Sequence, residues 1–503
     1  MSRGEILFTE GPLNKKIIKF VLPLIMAYFI QQAYSSADLI IVGHTMGKNG
    51  SAAIGASSLI ITIAIGLFSG LAMGVSMLFA RAYGAGDNER KKKIYHASYR
   101  VAIALGIGIT VVGIIFSPYL LKLMQTPDDI FEPTVVYLRI YLLCITFMAV
   151  FEMLASIIRA IGNSATPMIL QTISGGLNVV LDLIFVNVLS DGIVAVSVAT
   201  VIAQGFGVLL IVIYIGRNKS KIFNSSTNAV RTASESKEVT VENGADTENN
   251  VSTDNGIHTD SNAPAEIHNK DSKEKYMISN NIVSAIFALG MPVALQTMVM
   301  SISNMFLQAN INTLGVDTIT AFFKIELFIY YPAVSVGQGL LIASNQNIGA
   351  GKFERISLVI KTCLKIGLAI IIPLEVLETI FAPQLVSIFN AEPGVIEVGT
   401  QIIIAPFYVV YLIYECMSNA VRAMGKTITA TAVSITTFVG LRTILYIIIN
   451  ILNIQSVVNV SIIYISTWCL AVILLIIIKS ESLQQKKLIR FKGFISPHPP
   501  YIV

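Results

Sequence analysis

Gly84-Ala85-Gly86-Asp87-Asn88-Glu89-Arg90 and Gly349-Ala350-Gly351-Lys352-Phe353-Glu354-Arg355 are two copies of one loop. Each follows a long apolar run and precedes another. A second pair keeps the register: Glu152, six residues, then Arg159-Ala160-Ile161-Gly162, against Glu415, six residues, then Arg422-Ala423-Met424-Gly425. The offsets are 265 and 263 residues. A single Gly-Ala-Gly is only a turn signal. Two matched loops, in order and at nearly one offset, predict an internal duplication of roughly half the chain.

The runs around these loops define the protein class. Of 503 residues, 54% are hydrophobic and only 13% charged, against about 25% charged in soluble domains. Twelve apolar stretches approach the ~20 residues that a helix needs to cross a bilayer. Their limits are 17–41, 53–80, 94–116, 134–158, 166–188, 193–215, 281–309, 317–345, 357–381, 397–420, 427–450 and 456–478. Runs this long without alternation are helices, not barrel strands. The predicted fold is therefore an all-α polytopic membrane protein with twelve transmembrane helices in two six-helix lobes. The lobes are 1–216 and 279–480, joined by a linker over 217–278 and followed by a cytoplasmic tail over 481–503. Six spans per half give the two copies the same orientation, a parallel repeat with a cavity between them near the midplane.

Charge gives the expected topology. The net charge is +5, and residues 217–278 carry eight basic and ten acidic groups, leaving +7 elsewhere. That excess sits in alternate short loops, at Lys15, Lys16, Lys19, Arg81, Arg90 to Lys93, Arg159, Lys352, Arg355, Arg422 and Lys426. It reads as a positive-inside signal that places both termini in the cytoplasm, and not as nucleic-acid binding. The linker is polar and poor in aromatics, so it is expected to be disordered. The four cysteines are scattered in apolar runs without metal-ligand spacing, and no cleavable leader is legible in the first fifteen residues.

Ionisable groups inside the spans each need a reason, because a carboxylate there costs at least about 2.5–3.5 kcal/mol. They are Asp38, Glu152 and Asp182 in the first half, and Lys324, Glu326, Glu375, Glu415 and Arg442 in the second. Asn178 and Asp182 are four residues apart, on one helix face. With Asp38 and Thr200 they make an all-oxygen set that suits Na+, or a proton held between two carboxylates. Proximity of Asp38 and Asp182 to the outer interface is the alternative. Glu152 with Arg159, and Glu415 with Arg422, read as salt bridges between helix end and loop. Lys324 and Glu326, two apart, cannot face each other on a helix. Pro23 and Pro292 lie early in the first span of each half, where they permit a bend. Met26, Tyr28, Gln31, Met298, Lys324 and Glu326 are the candidates to line a cargo cavity, since Met is adaptable and aromatic faces attract organic cations.

The chain resembles the multidrug and toxic compound extrusion (MATE) family of secondary transporters. The stretches that carry this are Ala37-Asp38-Leu39-Ile40-Ile41-Val42-Gly43, Gly84-Ala85-Gly86, Arg159-Ala160-Ile161-Gly162-Asn163 with Thr166-Pro167, Asn178-Val179-Val180-Leu181-Asp182, Lys324-Ile325-Glu326 and Arg422-Ala423-Met424-Gly425. The resemblance implies two six-helix lobes and efflux of organic, often cationic, compounds in exchange for H+ or Na+. It looks closest to the prokaryotic branches, whose cation site in the first lobe would fall on Asp38, Asn178, Asp182 and Thr200. Some relatives place a carboxylate in the seventh helix, and residues 281–309 contain none.

The functional expectation is an antiporter in the plasma membrane of a prokaryote, monomeric, without cofactor or nucleic-acid partner. Its cargo would be small xenobiotics, and its energy an ion gradient acting through a two-state element. There is no GxxxxGK[ST] loop for ATP. A lipid-linked oligosaccharide flippase of a related superfamily is the alternative, favoured if arginines ring the cavity for a pyrophosphate. A membrane-embedded transferase would need a catalytic constellation, but His44, His96, His258, His268 and His498 form none in sequence. A channel would not need a two-lobe duplication.

Overall fold

The structure is a computed structural model. It describes residues 5–188, 192–224, 281–311, 316–389, 393, 396–397, 400, 408–452 and 457–493. The described residues are almost entirely helical, as a chain must be where lipid offers no partner to a free backbone group. The helices are α1 (Leu13–Gly84), α2 (Asn88–Leu123), α3 (Asp128–Ala160), α4 (Ala165–Val188), α5 (Gly192–Arg217) and the short α6 (Lys219–Asn224). The second half has α7 (Ile282–Ile311), α8 (Val316–Gly349), α9 (Arg355–Phe389) and α10 (Tyr408–Ala423). It ends with α11 (Thr427–Ile435), a π-helical turn (Thr436–Leu441), α12 (Arg442–Ile451) and α13 (Val457–Gly493).

α1 holds two spans. Its 72 residues would make a rod of about 108 Å if straight. Yet Phe8, just before the helix, donates its backbone N–H to Gln346 Oε1 (2.9 Å), and Gly84, its last residue, packs on the Gln346 backbone. Both ends meet one residue, so the chain doubles back and forms two legs, Leu13–Tyr34 and Ala52–Gly84. Among the described residues, eleven helical stretches are long and apolar enough to span a membrane. The twelfth expected span, 397–420, is described at 397 and 400 and then from Tyr408 onward, as the 16-residue α10.

The repeated motifs build repeated turns. Gly86, Gly162, Gly351 and Gly425 have φ of +71°, +86°, +72° and +90°. At each, the next residue donates to a carbonyl five back, as in Asp87 N–H to Ala82 O (3.0 Å) and Lys352 N–H to Asn347 O (2.8 Å). The same bond runs from Asn163 to Ile158 and from Lys426 to Val421, at 3.2 Å each. This is a glycine-terminated helix end that only a residue free to adopt positive φ closes without strain. Asp87 then caps the next helix by accepting from Arg90 N–H (2.9 Å).

The lobes join in a two-fold-like manner. The first leg of α1 packs on α8, with Val21 against Gly339 and Phe29 against Phe328. The second leg packs on α7, with Gly70 against Ala294 and Gly74 against Gly290. Small residues let these backbones approach closely, which in a bilayer replaces the missing hydrophobic drive. Where the repeats meet, a Cβ on Gly84 would strike the Gln346 backbone and a Cβ on Gly349 would strike the Arg81 backbone. The two contacts are the same contact, one repeat apart.

One expectation changes. Residues 219–224, assigned to the linker, form α6, with Ile222 and Phe223 buried and Phe223 edge-on to Phe79 and Tyr95. Two apolar residues in a polar segment were enough to dock its start. Residues 225–280, the rest of that linker, lie outside the described residues.

Candidate functional site

α4 is anchored at its start and buried along one face. Asn163 Oδ1 accepts from Thr166 N–H (3.0 Å), and its amide donates to Thr166 Oγ1 (2.9 Å) and to Tyr214 OH on α5 (3.2 Å). From there Ser174, Asn178 and Asp182 are buried at four-residue spacing, one face of the helix. Ser174 donates to Ala203 O on α5 (2.6 Å). On the other side, Gln171 donates to Tyr34 OH (3.0 Å), and Gly175 lies under the Tyr34 ring. The face thus sits between α5 and the first leg of α1.

Asp182 is fully buried, and Asn178 donates its amide to Asp182 Oδ2 (3.3 Å). Thr200 is buried on α5, where its hydroxyl donates to Val196 O (2.9 Å). Asp38 is in the helical backbone of α1, one turn beyond Tyr34, and its side chain lies outside the described residues. The structure therefore brings Asn178 and Asp182 together and seats Thr200 on the adjoining helix.

A second polar group lies between the lobes. Tyr28 on α1 stacks on Tyr331 of α8, centroids 4.6 Å apart and 4° from parallel, and Gln338 donates to Tyr28 OH (2.7 Å). Tyr330 continues the aromatic surface to Tyr411 on α10 (5.4 Å). Met298 faces Gly66 across the α1–α7 contact. Met26 and Gln31 are exposed. Near Tyr28, Arg159 holds Glu152 in a bidentate pair, both bonds 3.0 Å.

The second-half counterpart of that pair differs from the expectation. Glu415 and Arg422 form no salt bridge. Asn419 stands between them, donating to Glu415 Oε1 (2.8 Å) and accepting weakly from Arg422 (3.4 Å), while Arg422 turns to Gln296 Oε1 (2.8 Å). The first half has Ser156 at the corresponding place, which reaches only its own helix at Met153 O (2.7 Å).

A third group ties the second lobe internally. Glu326 on α8 shares a side-chain hydrogen bond with Tyr408 on α10. Arg442 is buried, with its guanidinium 4.0 Å from the Tyr464 ring centre and 5.3 Å from that of Phe438. Thr467 accepts from it at 3.4 Å. Glu375 accepts the backbone N–H of Tyr408. Glu326 is thus engaged within its lobe, and Lys324's side chain lies outside the described residues. Sequence reading missed Tyr331, Gln338 and the Tyr408–Tyr411–Tyr414 ladder. The ladder's signal was the presence of polar-tipped aromatics at three-residue spacing in an apolar run.

A duplicated helical bundle with eleven spans among the described residues, a buried amide–carboxylate pair in the first lobe and an aromatic seam between the lobes has the architecture of a membrane transporter. The MatE family profile matches residues 23–184 and 288–448, one copy per lobe, and the chain belongs to that family. Similar curated proteins include the probable multidrug resistance protein YpnP of Bacillus subtilis (strain 168), 22% identical over 86% of this chain and 88% of that protein. The multidrug export protein MepA of Staphylococcus aureus (strain NCTC 8325 / PS 47) is 21% identical over 79% of this chain and 78% of its own length. Among solved structures, a MATE in complex with MaL6 superposes with a TM-score of 0.80 at 20% identity, covering 97% of this chain and all of that one. The outward-facing conformation of a multidrug resistance MATE family transporter of the MOP superfamily reaches 0.78, covering 97% and 99%. The fold is theirs. The protein is a multi-pass membrane transporter of the multidrug-extrusion type.

Proposed function

We propose that this protein is an antiporter that exports organic, often cationic, compounds in exchange for H+ or Na+ by alternating access. It would act as a monomer in the plasma membrane, with both termini cytoplasmic. The observation that carries the reading is Asp182, wholly buried beside Asn178 on the α4 face that meets α1 and α5. Taking a carboxylate out of water costs several kcal/mol unless its charge is balanced. A proton or Na+ entering among Asp38, Asn178, Asp182 and Thr200 balances it and alters how the first leg of α1 packs on α4. That leg also carries Tyr28, the residue stacked on the other lobe, so ion binding and lobe contact share one helix. Pro23 in the same leg supplies a point of bending.

The cargo would meet the Tyr28–Tyr331 stack and its neighbours, whose ring faces attract cations. A pyrophosphate-bearing cargo is less well served. Arg159 is committed to Glu152, and Arg442 is sandwiched by Phe438 and Tyr464. The test is efflux of a fluorescent organic cation from proteoliposomes under separately imposed H+ and Na+ gradients, wild type beside Asp38→Asn and Asp182→Asn. Gradient-driven efflux abolished in both variants, at normal expression, is expected. Unchanged efflux in both refutes the site, and no efflux in the wild type under either gradient brings the flippase forward.

A further inference from the structure

Residues 6–11 precede the first leg of α1 and lie across the seam where the two lobes meet. On the first-lobe side, Ile6 donates its N–H to Ile161 O (3.3 Å), and Gly162 presses on the Ile6 backbone. On the second-lobe side, Gln346 accepts from Phe8 N–H (2.9 Å), Asn347 donates to Phe8 O (3.3 Å), Lys352 to Thr9 O (3.2 Å) and Arg355 to Gly11 O (2.9 Å). The Phe8 ring is wholly buried, edge-on to Phe20. The Lys16 ammonium folds back onto Leu7 O and Glu10 O, both at 2.6 Å, and fixes the turn into the helix.

Gln346 joins this strap to a second device. Its amide also donates to Ala160 O (2.9 Å), the open carbonyl at the end of α3. One repeat earlier, Arg81 donates to Ala423 O (3.0 Å), the open carbonyl at the end of α10, and to Asn345 Oδ1 (2.8 Å). Each lobe therefore caps a helix of the other. These carbonyls have no partner within their own helices, so separating the lobes exposes them.

We propose that the segment Ile6–Gly11, anchored on Gln346, is a strap that holds this face of the transporter shut and must detach for the lobes to part there. It rests on the alternating-access reading above. The strap is continuous with α1 of the first lobe and hydrogen-bonded to α8 and the following loop of the second, so the lobes cannot separate while both attachments hold. Gln346 is a positioning residue: among the described residues its side chain bonds only the strap and the end of α3, and it sets how often this face opens.

The test uses the full chain in proteoliposomes, with Met77→Cys as reporter and the exposed Cys469 changed to serine. Met77 is fully buried against Leu341 and Ala423 of the other lobe. A membrane-impermeant maleimide is added from the strap side. Gln346→Ala removes bonds to Phe8, Ile6 and Ala160, and is expected to raise the labelling rate by roughly fivefold or more, the factor that one hydrogen bond supplies. Phe8→Ala should act in the same direction. Labelling that responds to ion and cargo in the parent but is unchanged in both variants overturns the strap and leaves alternating access standing. A parent reporter that no gradient or cargo changes refutes alternating access itself. Should the variants fail to fold, Thr9→Cys with Lys352→Cys, joined by a short thiol cross-linker cleavable by reductant, decides. Transport arrested by the link and restored by reductant supports the strap, and transport indifferent to the link overturns it.

Discussion

Gly84→Ala and Gly349→Ala should each destabilise the protein, and together by less than their sum. A methyl at either position has nowhere to go. It meets the main chain of Gln346 in one case and of Arg81 in the other, and main chain cannot rotate away as a side chain does. Overpacking of this kind costs about 1–3 kcal/mol, set against a gain of up to ~1 kcal/mol from replacing a helical glycine. Because the added Cβ would overlap a main-chain oxygen in both cases, the cost falls at the upper end of that range, and the net expectation is a loss of about 2 kcal/mol for each single variant. Both substitutions push the same two helix ends apart, so the second enters a crossing already widened, and a coupling of at least ~0.5 kcal/mol is expected. Gly108→Ala and Gly176→Ala are the controls, since nothing lies within 4 Å of either added Cβ. They should be neutral or stabilising. The assay is thermal unfolding in detergent, followed by a thiol-reactive dye reporting exposure of the buried Cys144, Cys363 and Cys416. Fully additive losses, or no loss beyond the controls, would refute the reciprocal crossing.

Glu152→Gln should cost more stability than Glu415→Gln by thermal unfolding, because it strands Arg159 while Arg422 keeps Gln296. With side chains 14% and 30% exposed, the loss at Glu152 is put at about 1–3 kcal/mol, below that of a fully buried pair. Tyr28→Phe keeps the stack on Tyr331 and loses only the Gln338 bond, so it should change efflux KM less than Tyr28→Ala, which removes the ring; equal effects would argue against a cargo role for the ring. Arg442→Lys should destabilise the second lobe despite its unchanged charge, since a point ammonium cannot lie flat between Phe438 and Tyr464; unfolding midpoints equal to wild type would count against that stacking.

The duplication, eleven of the twelve expected spans and the turn chemistry were legible because they depend on local spacing. Gly-Ala-Gly and Arg-Ala-x-Gly close helices wherever they occur, and the four positive-φ glycines sit at those motifs. The Asn178–Asp182 contact was legible for the same reason, since four residues is one helical turn. Partner choice across lobes was not. Nothing in the sequence around Arg81 or Gln346 indicates that each ends a helix of the opposite half, because that depends on the crossing of α1 and α8, some 265 residues apart. The failed pairing of Glu415 with Arg422 has a smaller cause of the same kind. Exchanging Ser156 for Asn419 puts an amide between the charges, and Gln296, more than a hundred residues away, completes the diversion. The repeat therefore preserves backbone and lets side chains diverge. Both halves end their helices alike, but one half holds its carboxylate against an arginine and the other against an amide. On the antiport reading proposed above, what couples an ion to the contact between the lobes is a different affinity for its two states, and Asp182, buried beside Asn178 in the first lobe, is where that difference would arise.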